Sequence, residues 1–284
     1  MNQLSNIKSN LRYFGGKGWL AKHLIFHFPE DHSYTTFVDL FGGGAHVLTQ
    51  KAKTTRIEVF NDKDIDLVTF LLVMAGPQRE ELKSRLRALP TSRFLFEKWQ
   101  NEWFSGQRPE TEMDRAIRYY YIQRMKIVPH PNEKSGFRAS KTKCTATDFQ
   151  NSVNNIDKFA DRFREVIIEQ KDFRDIINMY DSSSTFFFVD CPYVNKEHLY
   201  KGSFQRNDHI DLAKHLSLIQ GKAMVTYYAD PLILDLYQGW RLETIDAAVG
   251  SVTKSELGQV RNRKTEHIFM NYQEERQLTL WDTP

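Results

Sequence analysis

Asp190-Cys191-Pro192-Tyr193 follows the most apolar strand-like run in the chain, Thr185 to Val189. A strand that ends in a carboxylate and then meets proline and an aromatic is unusual. Proline fixes its own φ and biases the residue before it toward extended geometry. The Cys191 carbonyl is thereby held in a fixed direction beside the Asp190 carboxylate, and Tyr193 can stack on a planar group. Two acceptors facing one point, beside an aromatic ring, suit an exocyclic amine on a heteroaromatic base. The same residues also compose an Asp-turn with a core tyrosine, so the tetrapeptide takes its meaning from its surroundings.

Two further stations offer such surroundings. Phe37-Val38-Asp39-Leu40-Phe41-Gly42-Gly43-Gly44 sets three glycines after an apolar run. Glycine lets a backbone turn sharply and approach a ligand closely, and a helix start beyond it offers amide hydrogens and a positive dipole end. The spacing departs from G-x-G-x-x-G, and no P-loop Lys-Ser/Thr follows. Alone, the segment fits a tight strand–helix turn equally well. Asn61-Asp62 closes a second apolar run, where a carboxylate can accept from a ribose diol or sit in a solvated turn. Together the two stations form one crevice.

The elements that must position these stations are legible in outline. Leu20, Leu24, Ile25 and Phe28 recur at helical spacing before Pro29. Strands are expected at Phe37 to Leu40 and over RIEVFND, with IDLVTFLLVMA a helix between sheet segments. VIIEQ, TFFFVD, AMVTYY and TEHIFMNY read as further strands, and DFRDIINMY, LAKHLSLIQ and PLILDLYQ as helices. This alternation predicts an α/β fold with a parallel sheet. From Gly76-Pro77 to about residue 164 the character changes to charges and aromatics. REELKSRLRAL and MDRAIRYYYIQRM are helical there, and residues 128–147 form a basic loop or hairpin.

Composition narrows the class. The chain has 284 residues, of which 40% are hydrophobic, enough for a sizeable core, and a formal net charge of +3. Two cysteines, Cys144 and Cys191, supply neither a disulfide framework nor a four-ligand zinc site. No apolar run approaches membrane-spanning length, in keeping with a mean hydropathy of −0.55. A reducing cytoplasm, bacterial or phage-encoded, is the expected setting, with no metal at the site.

The order of the stations resembles the DNA adenine methylase family. Arg12-Tyr13-Phe14-Gly15-Gly16-Lys17 is similar to its aromatic-x-Gly-Gly-Lys element, Phe37 to Gly44 to its F-x-G-x-G motif, and the tetrapeptide to its D-P-P-Y. Phe204 with Asp208-His209 and Leu212-Ala213 resembles its F-x-x-x-D-H-x-x-L-A stretch, and Thr265 to Tyr272 its closing strand. The resemblance spans most of residues 11–75 and 165–272. It implies a Rossmann-like class I methyltransferase sheet with S-adenosylmethionine as cofactor. By that resemblance Tyr13, Lys17, Asp39, Phe41, Gly42, Gly44, Asp62, Asp172 and Phe173 line the cofactor site, and Asp190, Cys191, Pro192 and Tyr193 grip adenine. Cys191 departs from the family's proline. A nucleophilic cysteine would point to carbon-5 cytosine chemistry, but those enzymes place the cysteine after a proline, the reverse of the order here.

Three units follow: a catalytic domain of residues 1–75 and 165–272, an inserted mainly helical target-recognition subdomain of 76–164, and a tail of 273–284. The insertion should read double-stranded DNA through Arg124, Lys126, Lys134, Arg138, Lys141 and Lys143, near Tyr119 to Tyr121, by phosphate and guanine contacts. For Arg115 and Arg118 a solvated helix face is favoured. No N-G-L-Y-R-like hairpin sequence is present. Gln277-Leu278-Thr279-Leu280-Trp281 resembles peptides that bind bacterial sliding clamps, and fits an ordinary chain end as well. N4-cytosine DNA or RNA adenine methylation, or a non-catalytic DNA-binding relative, are the alternatives left open.

Overall fold

The computed structural model describes residues 4–248 and 263–273; the clamp-like segment Gln277 to Trp281 lies outside them. Seven strands form one sheet: β1 Thr36–Asp39, β2 Ile57–Asn61, β3 Ile167–Glu169, β4 Thr185–Val189, β5 Lys222–Tyr228, β6 Arg241–Ala248 and β7 Arg263–Met270. Their order is β3-β2-β1-β4-β5-β7-β6. The first five pair in parallel and β7 runs antiparallel between β5 and β6. This is the α/β sheet expected from the alternating elements.

Burial explains the central strands. All residues of β1 and β4 are buried, as required of parallel strands covered on both faces. Strand order reverses between β1 and β4, whose registers align Asp39 with Phe188. The chain therefore delivers Asp39 and, two residues past Phe188, Asp190 to the same end of the sheet. That end, at the reversal, is where open α/β sheets bind ligands. Because β7 runs the opposite way, its early residues reach this end too, with Glu266 opposite Tyr228.

The edge strand β6 is absent from the sequence expectation. Residues 241–246 are all exposed or half-buried, so no apolar face marks the strand; pairing with β7 alone defines it.

Two apolar layers cover the sheet. One includes Phe173, Ile176, Leu212, Leu216 and Ile233 from the helices Phe173–Tyr180, Arg206–Leu218 and Pro231–Leu236. The other runs without a break from Leu24, Phe37 and Phe60 through Phe70 into Leu82, Phe96, Tyr120, Phe149 and Phe159. Residues 79–163 thus build helices Arg79–Arg87, Arg93–Phe104, Glu112–Met125, Thr145–Asn154 and Ile156–Phe163 against the outer side of helix Ile65–Ala75. The Tyr120 ring stacks on Phe70 at 5.0 Å between centroids. Tyr119, Tyr120 and Tyr121, expected beside a DNA-contacting surface, are core residues. Of the expected loop, residues 126–137 turn back as a hairpin, with Ile127 N donating to Gly136 O and Arg138 N to Met125 O.

Ions pin the layers together. Glu58 on β2 is buried against Arg162 (2.6 Å) and Lys51 (3.3 Å). Asp66, in the first turn of helix Ile65–Ala75, accepts Arg108, Arg115 and Lys201. Arg118 pairs with Glu102. Arg115 and Arg118 are therefore structural partners, not a solvated face. Among the described residues no helix is long and apolar enough to cross a membrane.

Candidate active site

A cavity of about 270 Å³ opens at the carboxyl ends of β1, β2 and β4. Its wall contains every residue expected to hold the cofactor: Tyr13, Lys17, Asp39, Phe41, Gly42, Gly44, Asp62, Asp172 and Phe173. The glycine turn owes its sequence to crowding and backbone sign. A Cβ on Gly42 would lie 2.0 Å from the Phe60 ring, and Gly43 sits at φ +47°, a region that favours glycine. Its amide donates to Asp62 Oδ2 at 2.9 Å, while Asp64 N donates to Oδ1. The helix beyond the turn, His46–Gln50, has five residues and is entered through left-handed Ala45. The expected helix-dipole contribution is correspondingly small, and the Gly43 amide does the positioning.

Of the carboxylates that line the cavity, Asp39, Asp62 and Asp190 differ in their partners. Asp62 is tied to the glycine turn, and burial lifts it to about 6 against those backbone donors. Asp39 is only 2% exposed and has no hydrogen-bond or ion-pair partner among the described residues. Burial first, then Asp190 and Asp62, push its carboxyl well above the usual range. Such a group is stabilised by an incoming cation. Asp190 is held on one oxygen: Lys17 Nζ lies 3.0 Å, Thr226 Oγ1 2.9 Å and Tyr193 Oη 3.2 Å from Oδ1.

Opposite the carboxylates, Phe41, Phe173 and Phe204 form an apolar slot. The Phe41 centroid lies 5.8 Å from that of Phe173 and 5.7 Å from that of Phe204. Asp172 caps helix Phe173–Tyr180 through Arg174 N and pairs with Lys63 at 2.9 Å. Burial acts to raise Asp172, but Lys63 and the Arg174 donors outweigh it and hold it low. His46 lies under the glycines; burial brings it down to about 4, against Asp190, so it stands neutral.

Glu266 joins the cluster of Lys17 and Asp190, and nothing in the sequence singled it out within its strand. It is buried, 3.2 Å from Lys17 Nζ, and hydrogen-bonded to Tyr193. Lys17 therefore bridges Asp190 and Glu266 as well as lining the cavity. Burial opposes its charge, yet the two carboxylates outweigh burial and raise it. The antiparallel direction of β7, which the pattern RKTEHIFM does not reveal, brings it here.

Tyr193 is placed otherwise than expected, and Cys191 also lies outside the cavity wall. Tyr193 is only 8% exposed and lies outside the cavity wall, edge-on to Tyr228 at 4.6 Å, with its hydroxyl accepting from Lys17 at 2.6 Å. Its ring is committed to the core in this conformation; Phe14 and Tyr200 are among the aromatics that line the cavity. The Cys191 thiol points away from the cavity to Tyr227, and burial pushes it up, far from a thiolate.

The basic residues of the insertion divide. Lys126 is 1% exposed and donates to the His130 carbonyl; burial lowers it to about 8. It anchors the hairpin and is removed from the DNA-contacting set. Arg124 and Arg138 share Asp148. Lys134, Lys141 and Lys143 are exposed, with Lys134 donating to Asn101 at 2.9 Å. The hairpin reaches the cavity wall: His130 packs on Phe14 with ring centroids 3.8 Å apart and planes tilted by 33°, and Asn132 donates to the carbonyls of His198 and Tyr200.

Comparison with known proteins gives the same reading. The family model of D12 class N6 adenine-specific DNA methyltransferase matches residues 13–250. Over 238 residues the chain is 24% identical to the Type II methyltransferase M.CviBI of Paramecium bursaria Chlorella virus NC1A, covering 82% of this chain and 88% of that protein.

Proposed function

The chain belongs to the D12 class N6 adenine-specific DNA methyltransferase family, and from that premise we propose how its own residues carry out the methylation. Cofactor, site roles and DNA-reading surface are parts of this proposal.

The observation that carries it is the partnerless Asp39 beside Asp62 and Asp190 in one cavity. A small ligand with a positive charge, a diol and a purine fits these residues, and S-adenosylmethionine has all three. Asp39 would meet its charged amino-acid end, Asp62 its ribose and the Phe41–Phe173–Phe204 slot its adenine. When bound, it supplies an electrophilic methyl group on a sulfonium. The glycines let Phe60, Tyr13 and His46 pack directly on the turn, where a Cβ would collide with them.

Asp190 and the Cys191 carbonyl would accept the two hydrogens of the adenine amine. That amine is a poor nucleophile because its lone pair is delocalised into the ring. Accepting both hydrogens favours a more tetrahedral nitrogen and frees the lone pair, an effect of electrostatics and positioning. Thr226 and Lys17 hold Asp190 through Oδ1, and its other oxygen, Oδ2, would take up the proton that the amine loses when the methyl leaves the sulfonium for the nitrogen. The base must leave the duplex stack to reach this point, at a cost of a few kcal/mol. Phe14, Tyr200 and, after a ring movement, Tyr193 offer stacking surfaces worth about 1–3 kcal/mol.

Residues 76–164 are proposed as the DNA-reading insertion, with exposed Lys134, Lys141 and Lys143 as its phosphate contacts and Arg124 and Arg138 released from Asp148 on binding. The test is methylation-sensitive sequencing of DNA from cells expressing the protein. N6-methyladenine at one recurring sequence is expected; methylcytosine alone, or no modified base, would overturn the reading.

A further inference from the structure

Cys191 stands where the resembled family carries proline, and its side chain has a defined partner. Its Sγ lies 2.8 Å from Tyr227 Oη, which lies 2.8 Å from His209 Nδ1; His209 Nε2 lies 3.0 Å from Glu197 Oε1. The hydrogens can be placed in one direction throughout. An ionised Glu197 only accepts, so His209 Nε2 carries the proton; Nδ1 then accepts from the Tyr227 hydroxyl, which accepts from the Cys191 thiol. Each hydrogen has one acceptor. Burial supports this neutral arrangement, lowering His209 against the pull of Glu197 and raising the thiol.

Three separate elements supply the chain. Glu197 lies in the 3-10 turn Glu197–Leu199, His209 in helix Arg206–Leu218 and Tyr227 on β5. Consecutive residues of β5 also hold consecutive residues of the turn: Thr226 Oγ1 reaches Asp190 at 2.9 Å and Tyr227 Oη reaches Cys191. Cys191, Tyr227 and His209 are all buried, so these bonds exchange little with water and resist bending of the turn.

We propose that Cys191 Sγ, Tyr227, His209 and Glu197 form a positioning chain that fixes the Asp190–Pro192 turn, replacing with hydrogen bonds the stiffness a proline ring would give at position 191. The inference rests on the adenine-methylating reading above. Tyr227, His209 and Glu197 are positioning residues: they act through the turn and touch no reacting atom.

The test uses the full chain, duplex DNA and labelled S-adenosylmethionine. Tyr227→Phe and Cys191→Ala should each lower the single-turnover methylation rate on the order of tenfold, with unchanged cofactor affinity and a melting temperature lowered by about a few degrees. Combined, they should be no worse than either alone, because both break one chain. Cys191→Pro introduced into Tyr227→Phe should recover most of the lost rate, which a packing defect would not allow. An unchanged rate in Tyr227→Phe, or no recovery by proline in a folded double variant, would overturn the proposal. If Tyr227→Phe does not fold, the Cys191 pair decides: Cys191→Ser, which keeps a donor, should outperform Cys191→Ala, and equal rates would overturn it. A wild-type protein that methylates no adenine would defeat the functional reading instead, a separable result.

Discussion

Asp39, Asp62 and Asp190 share a cavity yet are prepared for different work, and their partners explain how. Asp62, held by the glycine turn, is the one proposed to meet the ribose. Burial raises it to about 6, so it is ionised at neutral pH and accepts from a diol only above that value. Cofactor affinity should therefore be flat from pH 8 to about 7 and weaken as pH falls through about 6, approaching tenfold per unit as a proton must be released on binding. Equilibrium titration checks this, and Asp62→Asn should bind weakly with no such pH dependence. At this scale the sequence was informative: the residues from Tyr13 to Phe173 that line the cavity were legible because motifs keep order and spacing. Glu266, the orientation of Tyr193 and the hydrogen-bond partner of Cys191 were not, since each depends on which neighbour a strand acquires.

Elements decide those neighbours. Reversal of β7 brings Glu266 to the carboxyl ends of the parallel strands, and the reading TEHIFMNY gives a strand without its direction. Helix Arg93–Phe104 escaped notice because Phe94 points to solvent and blurs the apolar stripe. Lys126 looked like a DNA contact because charge is usually exposed; hairpin closure over it decides otherwise. The helices of the insertion are also bound to the sheet by ions, most tightly through Arg162 on Glu58. Glu58 is fully buried, so Arg162→Ala would leave it partnered by Lys51 alone. A loss of about 3–5 kcal/mol in unfolding free energy is expected, read by denaturant melts. A loss below 1 kcal/mol would mean that water or Lys51 compensates.

Across the whole molecule, one apolar layer runs from the sheet into the insertion, so the part proposed to read the target shares a scaffold with the site. The sequence marked the change in character at Gly76-Pro77 but could not show that the two parts share a core, since apolar residues carry no label of their partner. DNA affinity should arise largely from exposed lysines on the insertion. Replacing Lys134, Lys141 and Lys143 together with alanine should flatten the plot of log affinity against log salt by about 2–3 units if all three contact phosphate. An unchanged slope would place the DNA on another face.

The central claim is that Asp190 carries transfer to adenine. The most direct measurement compares wild type with Asp190→Ala on duplex DNA, identifying the methylated base after digestion and measuring cofactor affinity in parallel. The account predicts N6-methyladenine from wild type, none from Asp190→Ala, and equal cofactor binding by both. Methylation retained by Asp190→Ala, or N4-methylcytosine as the wild-type product, would contradict it.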